Sequence, residues 1–411
     1  MTGAAPLGLL EGFGIEMEFM IVDRKSLAVR PIADLLLRAA DGGHDWVEDV
    51  SRGPIAWSNE IVAHLVEFKT NGPAPALAGL DALFHADVLA ANQVLAQHDA
   101  MLLGMGAHPL MEPAAETRLW AHSGGEIYAA YDRIFGCRGH GWSNLQSTHL
   151  NLPFADDEQF GRLHAAIRLV LPIIPALAAS SPFLDGKFTG YLDARLETYR
   201  HNQARIPSLT GQVIPERLFS AADYRVLLAR IAADIAPHDP DELLNPLFLN
   251  SRGAIARFDR NAIEIRTIDI QECPAADLGV ISAVVALVRR LLNEQDVPYR
   301  VQQEWPEDLL AEILLAVIRD GDQARIRNAD YLEMLGIRAR GVTAGAAWRA
   351  LCEAASGEFD AAAHQALRRI LEQGPLARRL LRRVGRAPTH ATLAAACGEL
   401  AACLADNRSF A

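Results

Sequence analysis

Four short stretches of this sequence set carboxylates, a histidine and an arginine into otherwise apolar surroundings. Glu16 and Glu18 lie in G-F-G-I-E-M-E-F-M-I-V-D, Glu60 and Glu67 in E-I-V-A-H-L-V-E-F-K-T, His149 and Asn151 in T-H-L-N-L, and Glu264 and Arg266 in I-E-I-R-T-I-D. Three of the four pairs are two residues apart, so on a β-strand each of these pairs shares one face. Ile15, Met17, Phe19 and Ile21 then line the other face of the first strand and suit a core. Carboxylates side by side repel unless positive charge sits over them. A hard divalent cation such as Mg²⁺ answers that need, because carboxylate oxygens hold it, often together with phosphate. If the four strands are neighbours, five carboxylates and one imidazole converge on one concave face. Two or more Mg²⁺ ions, with Arg266, would compensate that density of charge. Such a site suits a nucleoside triphosphate, whose phosphate oxygens the ions bridge.

Each motif also has a plainer reading. Glu-x-Glu alone is a wet strand face, and His149 alone is a hydrogen-bonded core histidine. Glu60 and Glu67 are an odd number apart, so Glu60 sits either at a bulge or in the preceding loop, or pairs with His64 at helical spacing. Arg195 has Asp193 and Glu197 beside it, Glu264 and Arg266 suit a structural pair, and Lys187 reads as an exposed loop lysine. The five arginines within residues 377–386 read as a solvated helix face making ion pairs rather than as an RNA contact.

Strands over residues 12–23, 61–69, 101–105, 144–154 and 255–270 must position these groups, judging by alternation. Residues 46–57 read as irregular or hairpin-like, and 180–191 as a loop. Helical spacing marks 31–40, 77–103, 156–179, part of 218–235 and nearly everything after 275, while 119–138 suits the rim of a site. The fold class is α+β, with a mostly antiparallel sheet backed by long helices. Residues 1–290 form the catalytic part, and 291–411 a helical C-terminal region packed on it.

The net charge of −12 over 411 residues argues against a general nucleic-acid binder, since neutralising phosphates needs a positive face. Five scattered cysteines without a C-x-x-C pair point to reduced thiols and a cytoplasmic protein. No basic segment precedes an apolar run at the N-terminus, and residues 167–177 are too short and proline-broken to span a bilayer. Neither G-x-x-x-x-G-K-[ST] nor a strand followed by G-x-G-x-x-G occurs, so a triphosphate would bind without either loop.

Taken in order, the four stretches and S-S-P-F-L-D-G-K-F-T-G-Y-L-D-A-R resemble the glutamate–cysteine ligase superfamily, in its bacterial carboxylate–amine ligase branch, from about residue 12 to 269. The resemblance implies a curved antiparallel sheet related to that of glutamine synthetase, forming a metal- and ATP-binding cup. It implies ATP and two or more Mg²⁺ ions, with Mn²⁺ as an alternative. ATP phosphorylates a carboxylate, typically the γ-carboxylate of glutamate, and an amine attacks the acyl phosphate. By motif, Glu16, Glu18, Glu60, Glu67, His149 and Glu264 match metal ligands. Arg195 and Arg266 match arginines that hold phosphate or a substrate carboxylate, and Lys187 joins them as a candidate. The chain departs from the pattern at Met17, which replaces an acid on the face turned away from the metals. It departs again at T-H-L-N-L, which lacks a second histidine and a glycine near the substrate pocket. A metal-dependent amide hydrolase and an inactive binding module are the competing functions. Partners are small-molecule acids and amines, and the C-terminal helices offer contacts for a homo-oligomer.

Overall fold

Alternating side chains give the central sheet two different faces. The computed structural model describes residues 6–43 and 45–411. The first six strands are β1 (Gly14–Asp23), β2 (Asp49–Arg52), β3 (Ile55–Asn59), β4 (Leu65–Thr70), β5 (Ala100–Leu103) and β6 (Ser147–Pro153). A small separate hairpin follows, β7 (Phe183–Leu184) with β8 (Lys187–Phe188), and then β9 (Ala254–Arg257) and β10 (Ala262–Asp269). The main sheet has eight strands in the order β2-β3-β4-β1-β6-β10-β9, with β5 paired to the far end of β1. Its pairings are antiparallel, so the α+β reading holds.

Several boundaries differ from expectation, each for a local reason. Residues 255–270 are two strands, turned at Asn261 in the left-handed region (φ 51°). Residues 61–64 are irregular, and β4 begins only at Leu65. The helix expected over 77–103 runs from Leu80 to Leu95. A 3₁₀ turn and a left-handed Asp99 (φ 53°) then reverse the chain into β5. In the stretch expected as a helix over 156–179, Asp156 is the N-cap and accepts from Gln159 N, and Pro172 and Pro175 break the helix after Val170.

Ile15, Met17, Phe19 and Ile21 are fully buried on one face. Leu150 and Ile263 join them, beneath Phe84 and Val88 of helix Leu80–Leu95, Ile167 of Asp157–Val170 and Val284 of Pro274–Leu292. Residues 290 and 291 both lie inside that last helix. Leu310, Leu314, Leu367 and Ile370, from later helices, belong to the same core.

The opposite face is divided. At one end Met20, Val22, Leu65 and Leu103 pack with Leu376, Leu380, Cys397 and Leu400 of helices Leu376–Val384 and His390–Ala405. The C-terminal helices therefore cover one end of the face whose other end carries Glu16 and Glu18. Their arginines make ion pairs: Arg378 with Asp322 at 2.9 Å, and buried Arg379 with Glu272 at 2.6 Å. All five cysteines are free and buried. Among the described residues, no helix is long and apolar enough to cross a membrane.

Candidate active site

Strand register assembles the carboxylates. Glu16 lies opposite His149 across β1–β6, Glu18 opposite Glu67 across β1–β4, and Glu264 opposite Asn151 across β10–β6. Gly14 lets β6 come close, since a Cβ there would sit 2.9 Å from that of Asn151. Glu60 follows directly after β3, in irregular chain, so it is a loop residue rather than a strand one. It does not pair with His64, whose Nε2 lies 2.7 Å from the Ser143 carbonyl.

His149 is the hub. Its Nδ1 lies 2.9 Å from Glu16 and 3.8 Å from Glu264, and its Nε2 lies 3.8 Å from Glu18. Ligand atoms of Glu16, His149 and Glu264 all lie within 4.8 Å of one another, a spacing suited to one cation. Ser147 donates to Glu18 from its N (2.7 Å) and Oγ (3.0 Å), and Asn151 Nδ2 donates to Glu16 at 3.1 Å. Ser58 Oγ donates to Glu67 at 2.9 Å, and Lys69 Nζ lies 3.4 Å from the same carboxylate.

The electrostatics reflect crowding of like charges. Burial, then the charges of Glu18, Glu67 and Glu16, push the Glu60 carboxyl well above its ordinary range. Burial, then Glu16, raises Glu67 to about 7. Burial opposes ionisation of Glu16 too, but its hydrogen bond to His149 and the His149 and Arg266 charges bring it down to about 2. Burial likewise opposes a charged His149, yet the Glu16 bond and the Glu18 charge raise its pKa. Burial and mutual repulsion therefore oppose full ionisation of Glu60 and Glu67, and a cation placed between them would favour it. The all-carboxylate-plus-imidazole donors fit Mg²⁺ or Mn²⁺.

Both arginines reach the site. Arg266 Nε donates to Glu264 at 2.6 Å, so the structural pair forms, and Arg266 also lines the main cavity. Arg195 is buried and does not pair at the surface with Glu197. Its Nε donates to Asp269 at 2.5 Å and its Nη2 to the Arg266 carbonyl at 2.9 Å. Asp269 and Asp193 keep Arg195 charged despite the cost of burial. Asp269 in turn accepts from Ser180 N (2.8 Å) and Ser181 Oγ (2.7 Å).

Regular alternation from Glu264 would turn Asp269 to the far face. A bulge between Ile265 and Ile268 adds one residue to β10 and brings Asp269 opposite Ser147, on the side of Arg266. Lys187 is the exception among the expected residues. Phe183 and Phe188 turn toward the C-terminal helices, and the exposed Lys187 of β8 is not among the residues lining the cavity.

Two cavities border the carboxylate row. One, of about 660 Å³, is lined by Glu18, Glu60, His149, Arg195 and Arg266 together with an apolar wall. The other, of about 600 Å³, takes in Glu16, Asn151, Lys69 and Arg260. Sequence reasoning missed Asp269, Lys69 and Arg260. Lys69, in the same motif as Glu67 and two residues on, was within reach of the i, i+2 rule. Arg260 sits in the turn between β9 and β10, which no alternation marks.

The sequence profile of glutamate–cysteine ligase family 2 matches residues 12–399. An uncharacterised protein of Archaeoglobus fulgidus is 35% identical over 311 residues, covering 75% of this chain and 80% of that protein. The glutamate–cysteine ligase of Francisella tularensis, solved in complex with AMP, superposes with a TM-score of 0.60 at 12% identity, over 98% of this chain and 94% of that one. A bifunctional glutathione synthetase from Pasteurella multocida gives a TM-score of 0.61 at 14% identity, over 97% of this chain and 53% of that one. At these identities the two structures speak to the fold, while the profile speaks to descent. The chain belongs to glutamate–cysteine ligase family 2.

Proposed function

We propose that this protein is an ATP- and Mg²⁺-dependent ligase that joins a carboxylate, of glutamate or a related amino acid, to an amine through an acyl phosphate. The carrying observation is the row of five carboxylates and His149, with Glu60 and Glu67 held above the usual carboxylate range by burial and mutual repulsion. Glu16, Glu18, Glu60, Glu67, His149 and Glu264 would hold two or more Mg²⁺ or Mn²⁺ ions. When bound, these ions supply the positive charge that lets a triphosphate and a carboxylate approach each other.

The protein's own part is positioning and charge. In the cavity beside Glu16, Lys69 and Arg260 offer cations for the triphosphate. On the other side of the row, Arg195 and Arg266 hold the acid and the transferred phosphoryl group, a task suited to bidentate guanidinium groups. The acid's carboxylate oxygen takes the terminal phosphoryl group, ADP leaves, and the amine then displaces phosphate from the acyl carbon. No protein nucleophile is required, and orientation supplies much of the rate. Lys187, exposed on its hairpin, takes no part in this scheme.

The test is release of ADP and phosphate from ATP with Mg²⁺, an acid and an amine. Turnover should require all four components, and Glu16→Gln should reduce it by about a hundredfold or more. If no acid–amine pair stimulates nucleotide turnover, or if Glu16→Gln behaves as wild type, the ligase reading fails. ATP-independent amide cleavage would instead favour a hydrolase.

A further inference from the structure

The larger cavity has walls of two kinds. The strands give it charge, whereas Ile127, Tyr128, Tyr131, Trp142, Leu243 and Phe248 give it an apolar, largely aromatic surface. Tyr131 and Trp142 meet edge to face with ring centroids 5.4 Å apart. Ile127 and Phe248 are 38% and 50% exposed, so two large apolar side chains of this wall are left uncovered. Building on the ligase reading above, we infer that the amine substrate is an apolar or aromatic primary amine without a carboxylate of its own, rather than an α-amino acid.

The inventory of cations carries the argument. A glutamate-like acid brings two carboxylates, one that reacts and one that it keeps. Among the described residues lining this cavity, the only arginines or lysines are Arg195 and Arg266. Each has a carboxylate partner, Asp269 for Arg195 and Glu264 for Arg266, and the ligase reading assigns what charge they have left to the acid and the transferred phosphoryl group. Arg257, 4.9 Å from the Phe248 ring centre, is held by Asp259 and Glu264.

An amino acid serving as the amine would add a third carboxylate against an apolar wall with no counter-charge, an arrangement that burial penalises. Trp142 Nε1 and Tyr199 Oη have no partner among the described residues, but they offer neutral hydrogen bonds only. Glu48, the acid of the lining that is neither on a strand nor among the candidate metal ligands, attracts an ammonium group and repels a carboxylate. In the reaction, the nitrogen of the free amine bonds to the acyl carbon. The bond from that carbon to the phosphate oxygen breaks with its electron pair, and one N–H proton passes to the departing phosphate.

The experiment pairs amines that differ only by a carboxylate: phenethylamine with phenylalanine, and cysteamine with cysteine. Each is supplied with ATP, Mg²⁺ and glutamate or a related acid, and amide is read by mass spectrometry. Hydroxylamine, too small to need the apolar wall, is run in parallel and read as hydroxamate. The expected result is hydroxamate formation, with each carboxylate-free amine exceeding its amino acid by about tenfold or more in kcat/KM. Hydroxamate formation with amino acids equal to or better than their carboxylate-free partners would overturn this inference and leave the ligase reading standing. Neither hydroxamate nor amide with any nucleophile would overturn both.

Discussion

Arg195 and Asp269 form an ion pair with side-chain exposures of 2% and 0%, and the partners of such a pair depend on each other. Removing only the acid takes the direct ion-pair partner from a buried cation and leaves Asp193 as its nearest remaining counter-charge, which costs about 3–5 kcal/mol, whereas replacing both by apolar groups costs far less. Asp269→Ala should therefore lower the unfolding free energy in denaturant titrations by that amount. The double variant Asp269→Ala/Arg195→Met should recover most of it. Equal stability of the single and double variants would mean that Asp269 does not hold Arg195. Both variants should lose acid-dependent nucleotide turnover, because the guanidinium is either misplaced or gone. Arg195 could be picked out from its motif, yet its partner could not. The face on which Asp269 lies depends on one extra residue in β10, and nothing in I-E-I-R-T-I-D marks where a bulge falls.

Among the elements, alternation was legible wherever a strand has one core face and one polar face. β1 and β6 were found from pattern alone, with Ile15, Met17, Leu150 and Leu152 buried as their spacing requires. Strand order and register were not legible, because period-2 patterns say which face a residue takes and not which strand it meets. That Glu16 meets His149 and Glu18 meets Glu67 therefore had to come from the fold. The irregular stretch 61–64 was misread because Ile61, Val62 and Leu65 are apolar enough for a strand. Instead the chain there bridges to Leu119 and buries His64 against the Ser143 carbonyl. Glu60 reaches the row because it follows β3 two residues after Ser58, which lies opposite Glu67 across β3–β4. The short hairpin β7–β8 shows the reverse. Its phenylalanines carry it toward the C-terminal helices, which turns Lys187 outward.

For the molecule as a whole, the last helices cover the end of the polar face that the carboxylate row does not use, where Met20 and Leu103 meet Leu376 and Leu400. Buried histidines elsewhere tie its stability to pH. Burial brings His164 down to about 3, and His64 and His108 down to about 4, from an ordinary value of 6.5. Below pH 6.5 the unfolded chain takes up protons that the folded one refuses. Stability present at pH 7 is thus lost as pH falls toward 4 and below, by about 2 kcal/mol per histidine at pH 5. His164 stacks on Phe160 with ring centroids 5.4 Å apart, a contact that phenylalanine can replace. Between pH 7 and pH 5, His164→Phe should lose about 2 kcal/mol less unfolding free energy than wild type in urea titrations. Equal losses would place the titrating group elsewhere.

The claim on which the rest depends is phosphoryl transfer to the acid before amide formation. It is tested most directly with an acid carrying ¹⁸O in both oxygens of its reacting carboxylate, followed by mass spectrometry of the phosphate released. Attack of a carboxylate oxygen on ATP, then displacement of that oxygen by the amine, predicts about one ¹⁸O in each phosphate and one retained in the amide. Amide formed with no label in phosphate would contradict an acyl phosphate.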